Sequence, residues 1–239
     1  MNEKNIRFKI FRYKSGAIDP PRYDNFELAI GPRTTVLDAL EAIRVDHDST
    51  VMYRHSCHHA SCGTCAYKIN GLEGLGCVTN VLALESDEVT VEPLDAFSRV
   101  VDLVVDMNEF YSDISPNWTY IQTSEWYPEA ATPPEVDAYM HFENCIECGA
   151  CVSACPVTAA GDFYMSPAAL AAINRELSKN KQQTIPLLEL AGSERGVWQC
   201  HSAFECSAVC PSDVNPAGHI MELRRRFITQ KIKELLRLS

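Results

Sequence analysis

Two stretches of this chain share one spacing of cysteines, and that spacing limits what the chain can fold around. The first is Cys145-x2-Cys148-x2-Cys151-x3-Cys155-Pro156 and the second is Cys200-x2-Ala203-x2-Cys206-x3-Cys210-Pro211. The second repeats the first position for position, except that Ala203 stands where a cysteine would be. Cysteines two residues apart in a short loop converge on one iron–sulfur cube, while the fourth of each run ligates the other cluster. By that crossover, Cys145, Cys148, Cys151 and Cys210 hold a [4Fe–4S] cluster. Cys155, Cys200 and Cys206 remain, and three thiolates fit a [3Fe–4S] cluster because the fourth iron has no protein ligand. The fourth cysteine of each run is expected to start a helix leading away, where Pro156 and Pro211 fit because no backbone N–H is needed. Zinc sites use paired C-x2-C knuckles with a long spacer instead.

The remaining cysteines are Cys57-x4-Cys62-x2-Cys65-x11-Cys77. C-x4-C-x2-C followed by a distal cysteine is the plant-type [2Fe–2S] pattern. Gly63 lies where backbone must pass close to a cluster, and Asn70-Gly71 reads as a tight hairpin turn that folds Cys77 straight back. The eleven cysteines of the chain are thereby all assigned. His58 and His59 are candidate ligands of a Rieske-type centre, but four cysteines already suffice, and a surface loop is the better reading. Clustered cysteines in odd number, behind an N-terminus (Met1 to Lys4) without an apolar signal region, point to a reducing compartment, the cytoplasm.

The fold class expected is α+β in two domains, 1–104 and 105–239 of the 239 residues. Ile6, Phe8 and Ile10 alternate with Arg7 and Lys9 at strand period, and 26–30 supplies a partner strand. Thr35 is a fair N-cap for a helix with Val36, Leu37, Leu40 and Ile43 on one face. The cysteine loop, a hairpin about Asn70-Gly71 and a strand at 89–91 complete a β-grasp ferredoxin domain. Val100, Val101, Val104, Val105 and Phe110 suggest a helix entering a second, helical dicluster domain. Residues 112–135 read as a long loop. Helices are expected over about 166–179 and 215–237, with Ala168, Leu170, Ala171 and Ile173 as core.

A net charge of −11 argues against nucleic-acid binding. No stretch approaches the roughly 18 apolar residues a membrane span requires, so membrane association is expected through partners. The basic C-terminal helix (Arg224, Arg225, Arg226, Lys231, Lys233, Arg237) reads as a solvated end favoured by the helix dipole, or as contact with a membrane surface or anchor subunit. Nucleotide loops and serine-nucleophile motifs are absent. Three clusters in one chain carry single electrons, and a two-electron substrate needs a flavin held elsewhere. The expectation is an electron-transfer subunit between a two-electron enzyme and a second acceptor.

The order of these motifs resembles the iron–sulfur subunit of succinate dehydrogenase and fumarate reductase, the succinate:quinone oxidoreductase family. The likeness runs from Phe8 and Tyr13 to Cys210-Pro211. It takes in Arg54-His55-Ser56-Cys57, Cys62-Gly63-x-Cys65, Asp102-Leu103-Val104-Val105-Asp106-Met107, and Gly196-Val197-Trp198 before Cys200. The resemblance implies a flavoprotein partner with covalent FAD that interconverts succinate and fumarate, a reaction of the tricarboxylic acid cycle. It implies membrane-anchor subunits, with haem b a candidate cofactor there, where quinone is reduced or quinol oxidised. The [2Fe–2S] cluster would face the flavin and the [3Fe–4S] cluster the quinone, on a peripheral subunit at the cytoplasmic face. Pro156, Val157, Ala160 and His201 match the family's quinone-pocket positions, and Ala203 sits over the [3Fe–4S] cluster. Two positions depart from the pattern. Thr158-Ala159-Ala160 stands where many members have a tryptophan, and Ser212 where some fumarate reductases have a lysine.

Two other readings compete. One is a soluble multi-cluster ferredoxin-type carrier, against which the long loop and C-terminal extension speak. The other is a thiol-dependent fumarate reductase with a heterodisulfide-type domain, against which the lack of a further cysteine-rich repeat speaks.

Overall fold

The computed structural model describes residues 4–114, 145–161, 163–179 and 184–236. Most of the loop expected at 112–135 lies outside the described residues. The chain divides into two compact units, Met1–Met107 with Ile146–Ala154, and Asn108–Cys145 with Cys155–Ser239.

The first unit is built on a mixed sheet. Strand β1 (Lys4–Lys14) buries Ile6, Phe8 and Ile10 while Arg7 stays exposed, as its alternation dictates. It pairs antiparallel with β2 (Ile18–Ile30), Phe8 opposite Phe26, and parallel with β5 (Glu88–Glu92), Phe8 opposite Val89. Strands β3 (Ala66–Ile69) and β4 (Leu72–Leu75) form a hairpin on the far side of β5. Its turn residues Asn70 and Gly71 have φ of 49° and 85°, the two left-handed positions that match strand twist. Helix α1 (Val36–Ala42) starts in a capping box: the Asp38 N–H donates to Thr35 Oγ1 at 3.2 Å, and the Thr35 N–H to the Asp38 carboxylate at 2.9 Å. Val36, Leu37 and Leu40 of α1 and the following Ile43 are buried, as are Ile6, Phe8, Ile10, Val89 and Val91. Each such side chain contributes about 1.5–3 kcal/mol. Strands, helix and sheet order form the expected β-grasp body.

The valine run at 100–105 does not enter a helix. Instead, β6 (Arg99–Val101) and β7 (Val104–Val105) form a hairpin, with β6 paired to β1 at Lys14 and Val101. β-Branched side chains favour strands, and a tertiary contact holds the turn. Asp102, with φ of 45°, is buried and accepts N–H groups of Tyr13 and Met52, both at 2.9 Å. Helix begins only at α2 (Asn108–Ser112), which belongs to the second unit. The short helix α3 (Ala150–Ser153) belongs to the first. There Ser153 Oγ accepts the Asp95 N–H and donates to the Glu73 carboxylate, each at 2.8 Å, which fastens Ile146–Ala154 to the sheet.

The second unit is helical: α4 (Pro156–Ala160), α5 (Pro167–Lys179), α6 (Thr184–Ala191), α7 (Glu205–Ala208) and α8 (Pro216–Leu235). The fourth cysteines behave differently. Cys155 is the N-cap of α4 with Pro156 in its first turn, whereas α8 starts only after Cys210, at Asn215, whose side chain accepts the Gly218 N–H at 3.1 Å. Helix α5 is buried almost all round, Asn174, Arg175 and Glu176 included. Asn174 Nδ2 lies 2.8 Å from His219 Nδ1 and donates to Glu222 at 3.2 Å, which pins α5 to α8.

Candidate functional site

The loop after Cys57 is shaped to surround sulfur with donors. His58, Ala60 and Gly63 have φ of 61°, 59° and 69°, and the alternation of left-handed with ordinary residues turns successive N–H groups inward. The N–H groups of Ser61 and Cys62 donate to Cys57 Sγ at 3.3 Å, and that of His59 at 3.5 Å. The Ala60 N–H reaches Cys77 Sγ at 3.4 Å, and the Thr64 hydroxyl donates to Cys62 Sγ at 3.1 Å. The His59 N–H, seconded by Ser61 and Cys62, pulls the Cys57 thiol down to about 6. Burial pushes the Cys65 thiol up to about 12. His58 and His59 are exposed, and the His59 ring contacts the Cys57 carbonyl. Gly63 is required: with a Cβ there, Ile146 O would lie at 2.5 Å and Cys148 Cα and Cβ at 2.9 Å. The [2Fe–2S] loop and the first dicluster loop therefore touch backbone to backbone inside the first unit.

The dicluster runs repeat in conformation as well as in sequence. Glu147 and Gly149 in the first run have φ of 53° and 83°, and Ser202 and Phe204, at the same offsets in the second, have 59° and 65°. A short helix follows at the same offset, α3 in one and α7 in the other. Within the second unit, Cys145 and Cys210 pack against one apolar cluster of Ala171, Ala172 and Val214. Cys148 and Cys151 lie on Ile146–Ala154, counted with the first unit.

Cys155, Cys200 and Cys206 line one cavity of about 320 Å³, open mouth included, together with Pro156, Val157, Tyr164, His201, Ala203 and Phe204. Ala160 is exposed and not among the lining residues. The buried Cys206 thiol is pushed up to about 11 by desolvation, with the Cys155 and Cys200 charges behind it. Thiols this reluctant to ionise alone become ligands when a metal supplies the compensating charge. The Tyr164 hydroxyl is buried, and among the described residues no group meets it in hydrogen-bond geometry, though the Cys200 thiol stands close enough to raise its pKa. Burial, then the charges of Cys200, Cys155 and Cys206, hold it protonated well above the usual tyrosine range. A donor left without an acceptor in a cysteine-lined cavity fits a sulfur-rich occupant. The three thiols and this hydroxyl therefore fit an iron–sulfur cluster.

Residues 7–112 match a family described as a 2Fe-2S iron-sulfur cluster binding domain, and residues 141–214 match a 4Fe-4S dicluster domain. The fumarate reductase iron-sulfur subunit of Mycobacterium tuberculosis is 32% identical over 237 residues, which is 97% of this chain and 96% of that one. The chain belongs to the fumarate reductase iron–sulfur subunit family. The Escherichia coli subunit of the same name is also 32% identical, over 92% of this chain and 91% of its own. A chain of the Mycobacterium smegmatis Sdh1 complex in the apo form shares the fold, with a TM-score of 0.80 at 22% identity, covering 97% of this chain and 98% of that one.

In this iron–sulfur subunit several site residues carried no local sequence signal. Tyr164 follows no cysteine spacing. Arg224 lies within the basic stretch read as a solvated helix end or membrane contact, yet it turns inward. Its guanidinium donates to Val197 O at 2.7 and 3.0 Å, to Ser202 Oγ at 3.1 Å and to the Cys200 carbonyl. Arg224 thus holds the loop that presents Cys200 and stacks on Trp198, 5.7 Å from the ring centroid. Arg226 and Lys231 pair with Glu222 and Glu234 on their own helix.

Proposed function

We propose that this subunit relays electrons between the FAD of a flavoprotein subunit and membrane quinone in a succinate dehydrogenase/fumarate reductase complex. In this reading Cys57, Cys62, Cys65 and Cys77 hold a [2Fe–2S] cluster. Cys145, Cys148, Cys151 and Cys210 hold a [4Fe–4S] cluster, and Cys155, Cys200 and Cys206 a [3Fe–4S] cluster. When bound, these groups supply one-electron transfer. The chain's own residues set the environment. Inward N–H groups at Cys57 and Cys77 offset negative charge on sulfur. Buried Cys65, Cys77, Cys155 and Cys206 keep water from the ligands. Pro156, His201 and Ala203 line the cysteine-lined cavity and are exposed, and we assign them to the quinone vicinity.

The observation that carries this reading is Gly63. Its missing side chain lets the first cysteine loop meet Ile146 and Cys148 directly, so no side chain of Gly63 stands between the two loops that carry ligands. No described helix is long and apolar enough to cross a membrane. We place the subunit peripherally, at the cytoplasmic face, through anchor subunits.

The test is purification of the subunit with its co-expressed partners, followed by electron paramagnetic resonance. The air-oxidised complex is expected to show a narrow, near-isotropic signal of about one spin per chain, as an oxidised three-iron cluster gives. Copurification of a flavin-bearing chain and succinate-dependent reduction of the centres complete the expectation. A chain that purifies alone, silent when oxidised, would overturn it.

A further inference from the structure

Beside the Cys57 loop stands a group of side chains that the electron relay does not use. Glu41 lies on α1, and His55 and His58 lie on either side of Cys57. His55 Nδ1 and His58 Nε2 are 3.0 Å apart. Each is 3.6 Å from the same Glu41 oxygen, Oε1. At that distance the carboxylate accepts no hydrogen bond from either ring, although both rings and the carboxylate converge.

The triangle has a consequence for coordination. The point equidistant from three atoms separated by 3.0, 3.6 and 3.6 Å lies about 2.0 Å from each, the length of a zinc–imidazole or zinc–carboxylate bond. A slightly longer bond lifts the ion out of the ligand plane and leaves a position for water. The side chains are 41%, 42% and 38% exposed, so that position faces solvent. The ligands come from two elements; His58 is in the left-handed region, and its ring stands edge-on to that of His55, with centroids 5.2 Å apart. His59 is directed away, with its Nδ1 on the Cys57 carbonyl. Two imidazoles and one carboxylate suit a borderline divalent ion, while calcium and magnesium take oxygen.

We propose that Glu41, His55 and His58 form a divalent transition-metal site, for zinc, that ties the [2Fe–2S] loop to α1. The cluster-loaded protein, purified with its partner chains, is equilibrated with zinc chloride and desalted, and its zinc and iron are measured. One zinc per chain is expected at unchanged iron. His55→Ala, His58→Ala and Glu41→Gln should each weaken zinc retention at least about tenfold. Iron content and the reduced [2Fe–2S] resonance report whether each variant is folded, and the exposed positions favour that. A second readout rests on the [2Fe–2S] assignment. Cobalt(II) bound at this site should speed spin relaxation of the reduced cluster, and zinc should reverse the effect. Equal zinc in wild type and all three variants, no retained zinc in wild type, or unchanged relaxation with cobalt would each overturn the proposal.

Discussion

The guanidinium of Arg12 and the carboxylate of Asp102 meet at 3.2 Å inside the sheet unit, with 2% and 1% of their side chains exposed. Arg12 also donates to Asp24 at 2.8 Å and to Asp48 and Thr50 at 2.7 Å. Asp102 meanwhile accepts two backbone N–H groups. Asp102→Ala strips both N–H groups and one side of a buried charge at once. The expected loss is about 3–5 kcal/mol, read from the denaturation midpoint of the cluster-loaded protein. A loss under about 1 kcal/mol would mean the remaining carboxylates suffice for Arg12.

Asp48 gives a pH prediction. Hydrogen bonds from Thr50 first, and from Arg12 second, lower its carboxyl from 3.8 to about 2. A depressed carboxyl stabilises the fold above its unfolded value and loses that contribution as pH falls through its folded value. The window of loss is therefore about 3.8 down to about 2. Between pH 5 and pH 8 the melting temperature of Asp48→Asn should lie below wild type by a constant amount. A gap that narrows within that range would show that the carboxylate is not held down.

Gly63→Ala should be among the most damaging single-methyl changes in the chain. The added Cβ meets backbone and Cβ of the next cysteine loop at 2.5–2.9 Å, on a φ of +69°. Something must shift, and neither neighbour is a flexible side-chain end. Strain of this kind costs about 1–3 kcal/mol. Iron analysis and the reduced spectrum should show loss at the [2Fe–2S] loop and at the Cys148 loop that it meets, with the three-iron resonance changed less.

Ala203→Cys restores the position missing from the second cysteine run. Ala203 lines the cavity beside Cys155, Cys200 and Cys206 and is exposed, so a thiol there meets no packed core. The variant should hold a fourth iron and lose the oxidised three-iron resonance. Its midpoint potential should fall, because the change in cluster type and charge favours the oxidised form. If the three-iron signal persists at full intensity, the vacated corner is not what sets the cluster type.

Tyr164→Phe removes a buried hydroxyl that meets no hydrogen-bonding group in good geometry among the described residues. A donor to sulfur favours the more negative, reduced state. Its removal should lower the potential of the cluster in that cavity. The shift expected is within about tenfold in the reduction equilibrium, or 59 mV for one electron. Potentials of the other centres should stay put, and an unchanged midpoint at all three would remove Tyr164 from the cluster environment.

Much of this molecule was legible locally. Three cysteine spacings, the alternation of Ile6, Phe8 and Ile10, the cap at Thr35 and the turn at Asn70-Gly71 each depend on residues a few positions apart. Backbone geometry fixes which of those share a face, and the strands, α1 and the helices α5 and α8 stand where the spacing put them. The valine run failed for a tertiary reason. The valines at 100–105 fit a helix or a hairpin, and the choice fell to Asp102, whose partners Arg12, Tyr13 and Met52 lie far away in the chain.

The amino-acid sequence by itself determined the family, the two kinds of cysteine loop and the small residues Gly63 and Ala203 at the points where bulk or a thiol would change them. Only the tertiary structure decided which charges are spent inside. Arg224 left a basic helix face to hold the Cys200 loop, Tyr164 turned its hydroxyl into a cysteine-lined cavity, and Glu41 met His55 and His58. Local patterns select the backbone through the groups next to each residue. The partner of a side chain is set by which distant surfaces the buried core brings together, and no periodicity within one segment encodes that.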